Sequence, residues 1–259
     1  MSLLAMQTER LVRDLIRKAP RPLDYDAIRE ARTPEEVTRI INEAVRTLRK
    51  PPRPRAYSFQ RKPSPGRDLI TIHRAAWDLN PLEGADEPGL VIYAESLFRG
   101  PTIRAGYIPP SPRAFVSIHA VNRIHERVPR YTALDVYKLA FRFAALATAV
   151  GLMERHRNEV DGVRRHGGSY RLPVGQCLAQ ADLIVTDTAE LRLLGGATAW
   201  CDVRTVVPTS NQAEIAQARA CVAALEAFDW MYAPEVDIPY IPRRGDSFTL
   251  GIAKGKLLS

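Results

Sequence analysis

The residues Ser117-Ile-His-Ala-Val-Asn-Arg-Ile-His-Glu-Arg-Val128 gather more reactive side chains at regular spacing than any other part of the chain. Read as a helix, this stretch puts His119, Asn122, Arg123, Glu126 and Arg127 at i, i+3, i+4, i+7 and i+8, one polar stripe. Ala120, Val121, Ile124 and Val128 form the opposite, apolar side. An imidazole titrates near neutral pH and can pass a proton in either direction. Guanidiniums one and two turns further on can hold a phosphate and offset the charge that develops on it. Cleavage of RNA by its own 2′-hydroxyl needs just these groups: a base for the hydroxyl, an acid for the leaving oxygen, and cations around phosphorus. His119 is the candidate general acid or base, Arg123 the charge-stabilising group and Arg127 the group that holds substrate. A strand hydroxyl would orient the phosphate, and Thr205 is the best candidate for it. Each residue has a structural role open to it as well: a helix-capping His119, arginines paired with Glu126, and Thr205 as a β-branched strand former.

Metal chemistry has little support in the sequence. The five histidines are His73, His119, His125, His156 and His166. His119 and His125 are six apart and so fall on different sides of a helix, and no His-x-x-x-His or carboxylate pairing at ligand spacing occurs. Neither a phosphate-cradling glycine loop nor a Gly-x-Ser-x-Gly elbow is present. The reading therefore assigns no metal and no cofactor.

The elements that must position the stripe can be placed from local signals. Ser117 is a plausible N-cap of its helix, and Pro129 suits a stop just beyond it. Residues 3–18 and 33–48 carry apolar positions at helical spacing, the second run with Thr33, Pro34 and Glu36 as cap, first position and capping box. Together they read as an N-terminal helical hairpin, residues 1–50, whose apolar faces must be buried on the main body or on a second copy. Residues 49–67 then hold five prolines, seven Lys or Arg and no acid. This is a basic Pro-rich linker, 51–67, that could also track phosphates through Arg53, Arg55, Arg61 and Lys62.

The remainder, 68–259, reads as an α+β domain, helices packed on an antiparallel sheet. Short β-like runs at 68–73 and 89–93 come first. The stripe helix follows, then a largely apolar helix from Thr132 through Val150, then a polar segment from Gly151 to Gly168 that reads as a loop or frayed helix end and carries Arg164 and Arg165 as further basic candidates. An antiparallel meander follows, with candidate strands at 169–185, 190–194 and 198–207. In the last of these, strict alternation puts Cys201, Val203, Thr205 and Val207 on one face, and Asp202 and Arg204 on the other. A final helix spans about 212–228, with Asn211 and Glu214 as its capping box. No strong period follows it.

Composition limits the partners. The 259 residues have a formal net charge of +8, supplied mostly by arginine, which favours phosphate polymers, RNA above all. No apolar run approaches the length of a membrane span and no signal peptide is recognised. Three widely spaced cysteines, an odd number without Cys-x-x-Cys, suit a reducing cytoplasm.

His119-Ala120-x-x-Arg123-x-x-Glu126-Arg127 on a helix, a second helix, and a meander ending in Val203-Arg204-Thr205-Val206-Val207 also resemble a known arrangement. It is similar to the barnase/EndoU/colicin/RelE-like group of small ribonucleases and toxins, and to uncharacterised bacterial proteins with a His-Ala-x-x-Arg helix. The resemblance covers residues 115–208, roughly. It implies one or two helices on a four-stranded antiparallel sheet, with RNA cut without metal by a helix histidine, basic residues and a Thr or Ser near the last strand. This chain departs from the pattern in the Gly151–Gly168 insertion and in the Cys201-Asp202 pair that interrupts the last strand. Residues and resemblance together point to RNA binding with metal-independent endoribonuclease cleavage. The alternative is a non-catalytic nucleic-acid-binding or adaptor protein that docks through its basic surface, and a homodimer through the N-terminal helices is a third arrangement the stripes allow.

Overall fold

Two antiparallel meanders joined edge to edge make one seven-stranded sheet. The first comprises β1 (Tyr57–Ser64), β2 (Arg67–Leu79), β3 (Pro88–Arg99) and β4 (Gly106–Ser117); the second comprises β5 (Gly168–Val174), β6 (Cys177–Thr186) and β7 (Thr198–Pro208). Their order across the sheet is β1-β2-β3-β4-β7-β6-β5. These descriptions come from a computed structural model, which describes residues 1–18, 23–49, 57–64, 67–81, 86–99, 106–161, 168–186 and 198–227. The meanders meet where β4 runs parallel to β7, with Ala114, Phe115 and Val116 opposite Cys201, Asp202 and Val203. Every other strand pairing among the described residues is antiparallel.

Helices cover both faces, as the alternation of apolar residues along the strands requires. On one face α1 (Leu3–Lys18), α4 (Ile118–Arg127) and α5 (Ala133–Asp161) share a core with the strands. Val12, Val121, Ile124 and Phe143 meet Ala75, Ile92, Val116, Ala179, Val203 and Val206 there. Each fully buried side chain of this size contributes about 1.5–3 kcal/mol relative to exposure. On the opposite face α2 (Tyr25–Glu30) and α3 (Pro34–Arg49) cover Ile70, Ile72 and Leu97. At the far end of that face, α6 (Gln212–Ala227) sets Ile215 and Ala218 on Leu178.

The α+β class holds, and so do the caps. The Glu36 carboxylate accepts from the Thr33 amide at 2.9 Å while Thr33 Oγ1 accepts from the Glu36 amide at 3.3 Å. Ser117 Oγ accepts from the Ala120 amide at 3.0 Å. The apolar stripes of α1 and α3 are buried on the sheet, the first of the two alternatives, and in separate clusters on opposite faces. That burial removes the reason for placing a second copy on them.

Four expectations change. Tyr57–Ser64, within the segment read as linker, is the edge strand β1, where Pro63 costs no central ladder bond. The Pro-rich run before Ser117 belongs to β4; register shifts opposite Ile92/Tyr93 and Ala94/Ser96 let the strand carry Pro109, Pro110 and Pro112. The helix after Thr132 continues to Asp161, past the Val150 boundary. Finally, β7 bulges: Ala181 faces Val203 while Gln180 faces Thr205, so Arg204 is the extra residue. Alternation restarts there, Val206 joins the helix-side core, and Thr205 and Val207 turn to the other face. The strand expected at 190–194 and the tail after 227 lie outside the described residues.

Candidate functional site

Where β4 and β7 run side by side, the chain leaves them in opposite directions. β4 passes into α4 on one face, and β7 passes into α6 on the other. Parallel strands whose connections part in this way leave a crevice at their carboxyl ends, a common place for ligands. The N-terminus of α4 sits at this crevice. Ser117 caps it, and the Glu87 carboxylate accepts from the His119 amide at 3.0 Å, so two of the helix's first-turn donors are satisfied. Glu87 is held by the strand that begins beside it, because Gly89 pairs with Ser117. Only glycine fits that pairing: a Cβ at Gly89 would lie 2.5 Å from the Val116 carbonyl oxygen and 2.7 Å from the Phe115 ring.

The sequence-derived set is partly assembled here. His119 is exposed at the head of α4. Arg123 lies one turn on and makes a surface pair with Glu126 at 2.6 Å. Such a pair is worth roughly 0–1 kcal/mol, so an incoming phosphate can displace it. Arg127 has a different job. The β4–β7 ladder stops at Val116 and Val203, which leaves carbonyls of β7 without strand partners. Ser117 Oγ donates to the Arg204 carbonyl at 3.5 Å, and Arg127 Nη1 donates to the Val206 carbonyl. Arg127 is thus a backbone clamp. Thr205 lies on the sheet face away from α4, and the structure does not bring it to His119. Asn122 accepts from the Ser2 amide at 3.0 Å, tying the N-terminus to the stripe.

Of the six basic positions singled out for nucleic acid, Arg61 and Lys62 lie on β1 opposite Ile70 and Leu69. Arg53, Arg55, Arg164 and Arg165 lie outside the described residues. Among the described residues, no three His, Cys, Asp or Glu are placed to hold a metal ion.

Sequence reasoning missed the carboxylates of this crevice. Asp202 and Asp182 stand directly opposite each other on β7 and β6, and Arg204 Nε bonds both, at 2.9 and 3.3 Å. Asp202 is 2% exposed and its Oδ1 has no partner. Burial pushes its carboxyl above the usual range, against the pull of Arg204 and with the help of the Asp182 and Glu87 charges. Arg204 is therefore neutralised in place and offers no free cation. A charged pair inside an apolar strand was a visible signal for Asp202 and Arg204. Glu87 had none, because it meets His119 across 32 residues of chain.

Outward from His119 the surface is basic. Residues 117–142 carry five Arg or Lys against two acids. Arg130 and Lys138 are exposed, and Arg130 takes the left-handed turn after α4 with φ at 70°. The thiols of Cys177 and Cys201 are free and buried, and burial raises both. No described helix is long and apolar enough to cross a membrane. No protein-family model, curated protein or solved structure matches the chain.

Proposed function

We propose that this protein binds RNA along the outer face of α4 and cleaves it at the crevice without a metal. The observation that carries the reading is the exposed His119, its amide held by the Glu87 carboxylate, at the head of a basic helix face. In the reaction the 2′-oxygen bonds to phosphorus and the bond from phosphorus to the 5′-oxygen breaks. One group removes the 2′-hydroxyl proton and another protonates the leaving oxygen. His119 and Glu87 are the two proton carriers that the crevice supplies, and Arg123 faces the charge building on the phosphate. The +8 net charge supports RNA over an uncharged substrate. Arg127 and the Asp202–Arg204–Asp182 group act behind them by holding β7 and α4 in place.

A variant series in an RNA-cleavage assay tests the assignment. Glu87→Gln keeps an acceptor for the His119 amide but loses the charge, and it is expected to slow cleavage roughly 10²-fold. Arg123→Ala should weaken cleavage at least about tenfold, while Thr205→Val, on the other face, should cut at the wild-type rate. Equal rates in all three would remove catalysis from this crevice. RNA binding without any cutting would leave the adaptor reading in its place.

A further inference from the structure

Away from the crevice, the helix-covered face carries polar groups without partners. His73 on β2, Ala94 on β3 and Ser111 on β4 stand opposite one another in adjacent strands, so their side chains share one face. It is the face of Ala75 and Ile92, which lie two residues along in the core beneath the helices. In the other direction Thr71 and Ser96 are opposed, with their hydroxyls 2.7 Å apart. Arg113 enters beside this row. Ile92 faces Ala114 and Tyr93 faces Pro112, which leaves Arg113 as the extra residue of a bulge. Burial, and then the charge of Arg113, hold the His73 imidazole down to about 4. His73 is 8% exposed.

Three enclosed atoms in this row have no hydrogen-bond partner: His73 Nε2, Ser111 Oγ and Arg113 Nε. Buried polar atoms are nearly always paired, and a buried cation without a counter-charge is costly. No ion pair joins Arg113 to a carboxylate among the described residues, and the residue keeps partial exposure, so a small ligand can reach it. A ring nitrogen, a hydroxyl and a guanidinium in one place call for a group with several acceptor oxygens and negative charge.

We propose that His73, Ser111 and Arg113 form a binding site for a phosphate-type oxyanion, with the Thr71–Ser96 hydroxyl pair at its margin. The site lies on strand positions distinct from the crevice and does not depend on the RNA reading. The oxyanion can come from free phosphate or from a phosphate monoester, and the two are separable.

The test follows the His73 ring resonances of the full chain by NMR during titration with inorganic phosphate, against chloride at matched ionic strength. A second titration uses a nucleoside 5′-monophosphate. A saturable His73 shift is expected, with affinity weakened at least about tenfold in Arg113→Met. Ser111→Ala, a milder change that spares the charge, should weaken it less. Saturation by phosphate alone assigns the free anion, and tighter saturation by the monophosphate assigns the phosphate of a larger molecule. A His73 response no different from that in chloride, or one that persists in both variants, overturns the site.

Discussion

Replacing His119 by alanine is expected to slow RNA cleavage by roughly 10²–10⁴-fold, the contribution of a positioned acid or base, while leaving the fold and RNA affinity unchanged. The separation of rate from stability follows from how the residue is held. His119 is exposed, so its ring contributes little packing, and alanine favours the helix more than histidine does. The bond from Glu87 runs to the backbone amide and survives any side-chain change at this position. Affinity comes from the basic face beyond it, through Arg123 and Arg130, so salt should weaken wild type and variant alike. Parallel measurement of single-turnover rate, RNA affinity and thermal unfolding checks all three. An unchanged rate would show that His119 carries no proton in the reaction.

The second large effect concerns acid stability. Folding holds His73 down to about 4, chiefly by burial, whereas in the unfolded chain it titrates near its ordinary 6.5. Between those values the unfolded state binds a proton that the folded state does not, so stability falls as pH falls through the window. The loss is on the order of 3 kcal/mol across it. Asp202 acts in the opposite sense, because its raised carboxyl takes up a proton more readily in the folded state and so favours folding as pH falls. The difference between wild type and His73→Leu isolates the histidine. Denaturant unfolding at pH 7 and at successively lower pH, in phosphate-free buffer, is expected to show the wild type losing more stability than the variant. Matching slopes would mean that His73 titrates normally in the fold.

Much of this architecture was legible where local signals agree with tertiary packing. The caps at Thr33, Ser117 and Asn211 and the stripes behind them mark α3, α4 and α6 because each stripe meets a sheet face. Proline misled the reading at β1 and β4. Its missing amide argues against a central strand, but an edge position and two bulges remove that objection. The bulge at Arg204 is a tertiary feature: one extra residue, set by pairing with β6, carries Thr205 from the expected face to the other. The same limit applied to the site. His119 and Arg123 share a helix and could be found by spacing, whereas Glu87, Asp182 and the unpaired oxygen of Asp202 reach the crevice only through strand order. Arg127 has the type and spacing of a substrate ligand, yet it serves a carbonyl left open where β4 turns away from β7.

Digestion of a mixed RNA pool by the wild-type protein in EDTA, with the new ends identified chemically, tests the central claim most directly. Attack by the 2′-hydroxyl under His119 and Glu87 should leave 2′,3′-cyclic phosphate on one fragment and a 5′-hydroxyl on the other. Intact RNA, or fragments ending in 3′-hydroxyl and 5′-phosphate, would contradict it.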